Sequence, residues 1–143
     1  MKYKIEIRPE QADELVIYAR ERNAELERIE TFLRENDEKI FGYDGDKAIK
    51  LNTESIFCFF TEEGKVFALT YDKRLYVKER LYRIEEIFSE SFVKINQSCL
   101  MNVSKIKRFE SSIGGSLRVV LTNGYKDYIS RRQLKTVKRR LGI

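Results

Sequence analysis

Short runs of apolar and polar residues, separated by glycine-containing turns, recur along this chain and predict a sheet made of hairpins. Asp44-Gly45-Asp46 and Glu62-Glu63-Gly64 each lie between two such runs, and glycine supplies the positive φ that a tight turn requires. Asn123-Gly124 is the strongest hairpin signal in the chain. Because these turns follow one another at short intervals, we expect an α+β, mainly β domain over residues 38–143.

The strands predicted in this region lie on either side of the turns. Their bounds are Lys39–Tyr43, Lys47–Leu51, Ile56–Thr61, Lys65–Thr70, Leu75–Val77, Phe92–Asn96, Lys105–Glu110, Leu117–Thr122 and Tyr125–Ile129. Gln97–Asn102 is predicted to be a compact connection between two of them.

Two helices are expected among these strands. Apolar residues at a spacing of three over Lys78–Ser89 predict the first. The second begins after Ser130, an N-cap residue type, and ends near Gly142, which suits the position after a helix. Its apolar stripe is narrow and consists of Leu134, Val137 and Leu141.

The first 37 residues have a different pattern. Apolar and charged residues alternate up to Pro9, which predicts a strand, and the run Leu15–Ala19 predicts a second. A helix capped by Asn23 follows, with Leu26, Ile29, Phe32 and Leu33 at helical spacing. One continuous helix over Glu10–Asn36 is the alternative. We therefore expect residues 1–37 to form a small β-β-α module for partner or dimer contact, in front of the 38–143 domain.

Charge is distributed unevenly within a formal net charge of +5. Residues 1–92 carry 16 Lys and Arg against 21 Asp and Glu, a net charge of −5. Residues 93–143 carry 12 Lys and Arg against only Glu110 and Asp127, a net charge of +10. A solvated basic surface is one interpretation. The sharper one is a surface that binds a polyanion, most often nucleic acid.

The chain lacks residues that several classes of protein function require. The chain has no histidine, so a Ser-His-Asp triad would lack its base. Its two cysteines, Cys58 and Cys99, are far apart in sequence, so a zinc site would lack ligands. No glycine-rich phosphate loop occurs. We expect no enzymatic activity and no cofactor, with both thiols packing in a reducing compartment. No apolar run approaches the roughly 20 residues of a membrane span, and the N-terminus lacks a signal-peptide pattern, so a cytoplasmic protein is expected.

Two landmarks in the basic half resemble the LytTR-type DNA-binding domain. Residues Phe92–Ile106 resemble its aromatic-led strand, polar triplet ending in Ser, apolar step, Asn and second strand. Leu121–Gly124 followed by Ile129–Arg132 resembles the family's strand, Asn-Gly turn and Ser-Arg helix entry. Upstream, Glu54–Phe60 resembles the first core strand, and a helix around Leu81–Phe88 falls where the family has one. The resemblance covers roughly residues 38–143.

This resemblance implies an elongated, mostly antiparallel β fold whose loops, rather than a recognition helix, enter DNA grooves. Family members are bacterial transcription regulators that usually bind paired direct repeats as dimers. The implied partners are double-stranded DNA with a direct-repeat operator and a second copy, at least on DNA. The opening module resembles that of short LytTR regulators without a receiver domain. This resemblance implies control by a neighbouring membrane protein rather than by aspartyl phosphorylation, with the chain itself outside the membrane.

The resemblance also points to contact residues. Many members carry His and a basic residue in the polar triplet, which here is Asn96-Gln97-Ser98. Gln97 can contact adenine N6 and N7, although a turn residue bonded to nearby backbone is the alternative. Asn96 and Ser98 suit phosphate contact or turn capping. Lys65 matches a second DNA-contacting hairpin tip, and Arg131 matches the Ser-Arg position, where it could read guanine or clamp phosphate.

Charge alone suggests further contacts to phosphate, at Arg132, Lys135, Lys94 and Lys126. Asn102 lies between apolar residues and is expected to be structural. An RNA-binding domain or a protein-interaction module is the alternative function, but Phe109, Tyr125 and Tyr128 do not form an RNP-like motif.

Overall fold

The computed structural model describes residues 2–11, 14–37, 39–111 and 113–143. These residues contain ten strands and three α-helices. The strands are β1 (Phe41–Asp44), β2 (Lys47–Lys50), β3 (Cys58–Glu62), β4 (Lys65–Leu69), β5 (Arg74–Val77), β6 (Phe92–Asn96), β7 (Cys99–Asn102), β8 (Ile106–Ser111), β9 (Leu117–Leu121) and β10 (Lys126–Ile129). The helices are α1 (Ala24–Asp37), α2 (Leu81–Ile87) and α3 (Arg131–Leu141), and single 3₁₀ turns cover Thr53–Ser55 and Val103–Lys105.

The strands form two sheets. The longer sheet has seven strands in the order β2-β1-β5-β4-β3-β7-β6, and the shorter has three in the order β10-β9-β8. Every strand pairing within the described residues is antiparallel, which confirms the predicted mainly β architecture. No helix in the described part of the chain is long and apolar enough to cross a membrane.

The long sheet separates two clusters of buried side chains. On one face, α2 packs against the sheet, and the ring of Phe59 lies 6.1 Å from that of Phe88 and 5.1 Å from that of Phe92. On the other face, the short sheet and α3 cover a second cluster, in which Val119 and Val137 are fully buried. Alternation along each strand sends neighbouring side chains into opposite clusters, so both faces of the central strands are apolar.

The predicted turns and caps are confirmed where local chemistry decides them. Glu63 and Gly64 have φ angles of +52° and +76°, the two positive values that a two-residue hairpin turn of this hand requires. Gly124 has a φ of +89° between β9 and β10. Helix α3 begins after Ser130, whose hydroxyl oxygen accepts a hydrogen bond from the Gln133 N–H at 3.3 Å, and ends at Gly142 with a φ of +71°.

The prediction that Gln97–Asn102 is a compact connection is wrong for most of its length. Only Gln97 and Ser98 form a turn, and Cys99–Asn102 is strand β7, with all four residues buried. This strand pairs with β3 on one side and β6 on the other. A short strand with partners on both sides and apolar cover on both faces lacks the alternating pattern by which strands are usually found.

The N-terminal β-β-α prediction is correct only in its helix. Helix α1 follows Asn23, whose side-chain oxygen accepts a hydrogen bond from the Leu26 N–H at 2.9 Å. Residues 2–11 and 14–23 contain no strand, and 14–23 are not helical, so the single-helix alternative is also wrong. Tyr3, Ile5 and Ile7 are 87%, 76% and 84% exposed. An isolated strand pair is marginal in water without a third strand or a covered face.

Both cysteines lie inside the second cluster and are fully buried, as expected for packing thiols. A hydrogen bond to Cys58, together with burial, raises the pKa of the Cys99 thiol well above its usual value. A thiol with a raised pKa carries little thiolate and is therefore a poor nucleophile.

Asn102 joins the end of β7 to the segment at residues 53–56 and caps the 3₁₀ turn that follows it. Its Nδ2 donates hydrogen bonds to the carbonyl oxygens of Thr53 at 2.9 Å and Ile56 at 2.8 Å. Its Oδ1 accepts from the backbone N–H of Ser104 at 3.0 Å and from the Ser104 hydroxyl at 2.8 Å. Because Asn102 is only 3% exposed, water cannot easily replace these bonds, and the expected structural role is confirmed.

We predict that Asn102→Ala lowers the free energy of unfolding by about 2–3 kcal/mol, because it removes four hydrogen bonds and leaves the buried Ile56 carbonyl oxygen without its side-chain donor. Urea denaturation followed by circular dichroism measures the change. Asn52→Ala is the matched control, since Asn52 caps the other 3₁₀ turn in the same way but is exposed. Equal losses in the two variants would contradict the buried-network explanation.

Candidate nucleic-acid interface

Three segments distant in sequence meet at one end of the long sheet. The turn at Gln97 and Ser98 lies beside the end of β3, because the Thr61 N–H donates to the Ser98 carbonyl oxygen at 2.9 Å. The start of α3 lies beside the end of β6, because the Ser130 N–H donates to the Ile95 carbonyl oxygen at 2.9 Å. The third segment is the β3–β4 turn at residues 63–64. We call residues 63–65, 97–98 and 130–132 together the tip.

Asn96 links the Gln97–Ser98 turn of the tip to Tyr128, which lies two residues before the tip segment at the start of α3. Its Nδ2 donates to the Tyr128 carbonyl oxygen at 2.9 Å, and its Oδ1 accepts from the Ser98 N–H at 2.8 Å. The residue is only 2% exposed. Both polar atoms are therefore occupied within the fold, and this geometry suits turn capping, one of the two roles expected from the sequence.

The remaining predicted tip residues are exposed. Gln97 and Ser98 form the turn that Asn96 holds, Lys65 begins β4, and Arg131 and Arg132 begin α3. The structure therefore brings together candidate residues from three parts of the chain. Amide, hydroxyl, ammonium and guanidinium groups on one surface can donate hydrogen bonds both to phosphates and to base edges.

The electrostatics at the start of α3 favour an anion. Arg131 and Arg132 occupy the first turn, where the helix dipole is positive, and that turn contains no acidic residue. Placing cations there costs helix stability, whereas a bound phosphate would benefit from both the arginines and the N-terminal N–H groups. Lys135, also exposed, continues the basic surface one turn further along the helix.

One acidic residue that borders the tip, Glu62, is neutralised by a neighbour that the sequence did not single out, whereas Glu63 lies within the tip and is exposed. Glu62 forms an ion pair with Arg74, which enters the sheet twelve residues later. The Arg74 guanidinium also lies 4.0 Å from the ring centroid of Phe67 and 5.4 Å from that of Phe60. Glu62 therefore repels an approaching polyanion less than its place in the sequence suggests.

Two of the predicted phosphate contacts lie away from the tip. Lys94 is half-buried, and its side chain lies on the same face of the sheet as that of Phe92, two residues earlier in β6. Phe92 belongs to the cluster beneath α2, so this face is the one opposite α3. Lys126 begins β10 at the end remote from α3, with its Nζ 3.8 Å from a carboxylate oxygen of Glu110. A hydrogen bond from Arg108 lowers the pKa of Glu110, so this carboxylate stays charged beside Lys126.

Comparison with known proteins identifies the family. The sequence profile of the LytTr DNA-binding domain matches residues 46–142. The chain belongs to this family. The match includes the tip and all ten strands except β1, so the LytTr signature seen in the sequence corresponds to the part of the fold that forms the tip.

Related sequences and a solved structure agree with this assignment. Uncharacterized HTH-type transcriptional regulators of Staphylococcus aureus strains NCTC 8325 and MRSA252 are each 29% identical over 104 residues, covering 73% of this chain and 71% of theirs. A LytTr DNA-binding domain from Bacillus cereus superposes with a TM-score of 0.69 at 17% identity, covering 74% of this chain and 99% of that one. In the described part of this chain, strands separate α1, α2 and α3, so no helix-turn-helix unit forms the tip.

We predict that Asn96→Ala lowers the free energy of unfolding by about 1–3 kcal/mol, because it removes the bonds to Tyr128 and to the turn. Gln97→Ala is the matched control on the neighbouring exposed position and should change stability by less than about 0.5 kcal/mol. Chemical denaturation of both variants tests the pair. An unchanged stability for Asn96→Ala would show that the tip is held by other contacts.

Proposed function

We propose that this LytTr protein is a transcriptional regulator that binds a specific sequence in double-stranded DNA through its tip. One observation carries the proposal: exposed donor side chains from three distant segments meet on one surface, where the buried Asn96 holds the Gln97–Ser98 turn. Family membership and the names of the staphylococcal relatives support the same function.

The candidate residues at the tip and beside it have roles that their chemistry supports. Gln97 reads a base, with adenine as the match for its amide, and Arg131 reads guanine or clamps a phosphate. Ser98 and Lys65 contact phosphate. Arg132 and Lys135 bind phosphates along α3. Asn96 is a positioning residue that holds the turn rather than a direct contact.

Lys94 and Lys126 receive less support from the geometry. Both remain phosphate candidates on charge, but one lies on the opposite face of the sheet and the other beside Glu110. A direct-repeat operator would place two copies in the same orientation along the duplex, so that each copy reads one repeat with its own tip.

Selection of bound sequences from a random duplex DNA library, using the purified chain, tests the proposed function. We expect a reproducible motif, and a binding constant for it that falls linearly with salt concentration on a log–log scale, with a slope of about −0.9 per phosphate neutralised. Enrichment of no sequence would contradict sequence-specific reading. Tighter binding to single-stranded RNA than to the selected duplex would favour the alternative function.

Two variants separate base reading from phosphate binding. Gln97→Ala should change the preference at one or two base pairs by about 1–3 kcal/mol. Lys135→Ala should weaken binding to all duplexes by the same factor and reduce the size of the salt slope by about 0.9. Fluorescence anisotropy with the selected duplex and its single-base variants measures both effects. If both variants weakened all sequences uniformly, Gln97 would not be a base-reading residue.

The region of residues 1–37 supports a separate role, as the contact to a second copy of the chain. Large apolar side chains are exposed there, including Ile5 at 76%, Ile7 at 84% and Leu15 at 61%. Residues 2–11 carry three basic and two acidic side chains, whereas residues 14–37 carry four basic and seven acidic ones. The first segment of one copy is therefore complementary in charge to the second segment of another, and pairing would cover the exposed apolar row.

Sedimentation velocity tests this contact. The wild-type chain should form a dimer, and Ile5→Asp combined with Ile7→Asp should convert it to a monomer that keeps its folded circular-dichroism spectrum. Tyr82→Asp is the control, because Tyr82 is 64% exposed on α2. A wild-type chain that stays monomeric at high concentration would overturn the second-copy contact and leave the region to a regulatory partner protein, in line with the membrane-bound partner expected from the resemblance.

A further inference from the structure

The register of the long sheet aligns lysines from three strands on the tip side. Lys50, the last residue of β2, pairs with Phe41, the first residue of β1. Gly42 pairs with Val77, so Phe41 on the other side faces Lys78, the residue after β5. Lys50, Phe41 and Lys78 therefore form a row of cross-strand neighbours over β2, β1 and β5, the three strands that lie farthest from α3.

The same row continues towards the tip. Val66 pairs with Val77, so Lys78 also faces Lys65 at the start of β4. Lys65 pairs in turn with Glu62 at the end of β3, which lies next to the turn at Gln97. Cross-strand pairs in an antiparallel sheet share a face. Three lysines that are far apart in sequence therefore belong to one row, which ends at the tip.

This row lies on the more open face of the outer strands. The parallel row behind it is a ladder of rings, with Tyr43 opposite Tyr76, Tyr76 opposite Phe67, and Phe67 opposite Phe60. The Lys78 ammonium lies 4.5 Å from the centroid of the Tyr43 ring, which places both residues on this face. The intervening residues of β4 and β5 point to the other face, where they belong to the buried cluster that also contains residues of α2.

The row has a net positive charge that the described residues do not neutralise. Its acidic member, Glu62, is paired with Arg74. No ion pair joins Lys50, Lys65 or Lys78 to a carboxylate within the ranges that the structure describes. Like charges placed opposite each other on neighbouring strands destabilise a sheet, as Lys65 and Lys78 do here. A bound anion would convert this cost into attraction.

We propose that Lys50 and Lys78 form a phosphate-binding row that extends the DNA contact from Lys65 along the end of the sheet. The proposal rests on duplex binding at the tip. Strands are about 4.8 Å apart, so the row from Lys65 to Lys50 crosses three strand spacings, about 14 Å. At a rise of about 3.4 Å per base pair, this length corresponds to about four base pairs beyond the tip.

The chain offers a matched control for this row. Lys50→Gln with Lys78→Gln removes two positive charges at the tip end of β2 and β5. Lys47→Gln with Lys73→Gln removes two from the opposite end of the same strands, since Lys47 begins β2 and Lys73 precedes β5. All four lysines are exposed, so both double variants should fold.

Fluorescence anisotropy on the selected duplex gives the decisive comparison. Lys50→Gln/Lys78→Gln should reduce the size of the salt slope by about 1.8, because two phosphate contacts are lost, and should leave the order of preferred sequences unchanged. Lys47→Gln/Lys73→Gln should keep the wild-type slope.

Trimming about four base pairs of flanking DNA from one end or the other adds a second readout. Trimming at one end should weaken DNA binding by the wild-type chain and by the control variant. It should not weaken binding by Lys50→Gln/Lys78→Gln, because this variant already lacks the two lysines that contact the flanking DNA. If both double variants behaved alike while the wild-type chain bound the selected duplex, the row would be overturned and binding at the tip would stand. If the wild-type chain bound no duplex, the proposed function would fail and the row with it.

Discussion

The pairing of β7 with both β3 and β6 is the contact on which the rest of the structure depends. All four residues of β7 are buried, with Leu100 in the cluster under α2 and Met101 in the cluster under α3. A buried asparagine lies at each end of this hairpin: Asn96 secures the turn before β7, and Asn102 anchors its end. The strand thus joins the two cores and sets the position of the exposed turn that carries Gln97.

The positive charges at the tip lower the stability of the elements that carry them. Arg131 and Arg132 oppose the dipole of α3, and Lys65 on β4 faces Lys78 beside it at the end of β5. The fold offsets these costs with buried apolar side chains and, beside the tip, with the hydrogen bonds of the buried Asn96. Local unfavourable electrostatics on a well-packed support is the arrangement expected of a surface that meets a polyanion.

Features that depend on neighbouring residues were predictable from the sequence. The Glu63-Gly64 turn and the Ser130 cap were found because φ preference and capping act over a few positions. Strand β7 was missed, since an apolar run buried on both faces carries no period. The N-terminal strands were predicted from an alternating pattern, but in the described residues that pattern has no partner to pair with.

The sequence by itself determined the hairpins, the helix caps, the basic second half and the LytTr signature, because each is written in adjacent residues or in composition. Only the tertiary structure decided which candidates meet. It turned Asn96 inward, set Lys94 and Lys126 apart from Gln97, and aligned Lys50 and Lys78 with Lys65. The reason is physical: strand order and register arise from the burial of side chains far apart in the chain, and no local pattern specifies them.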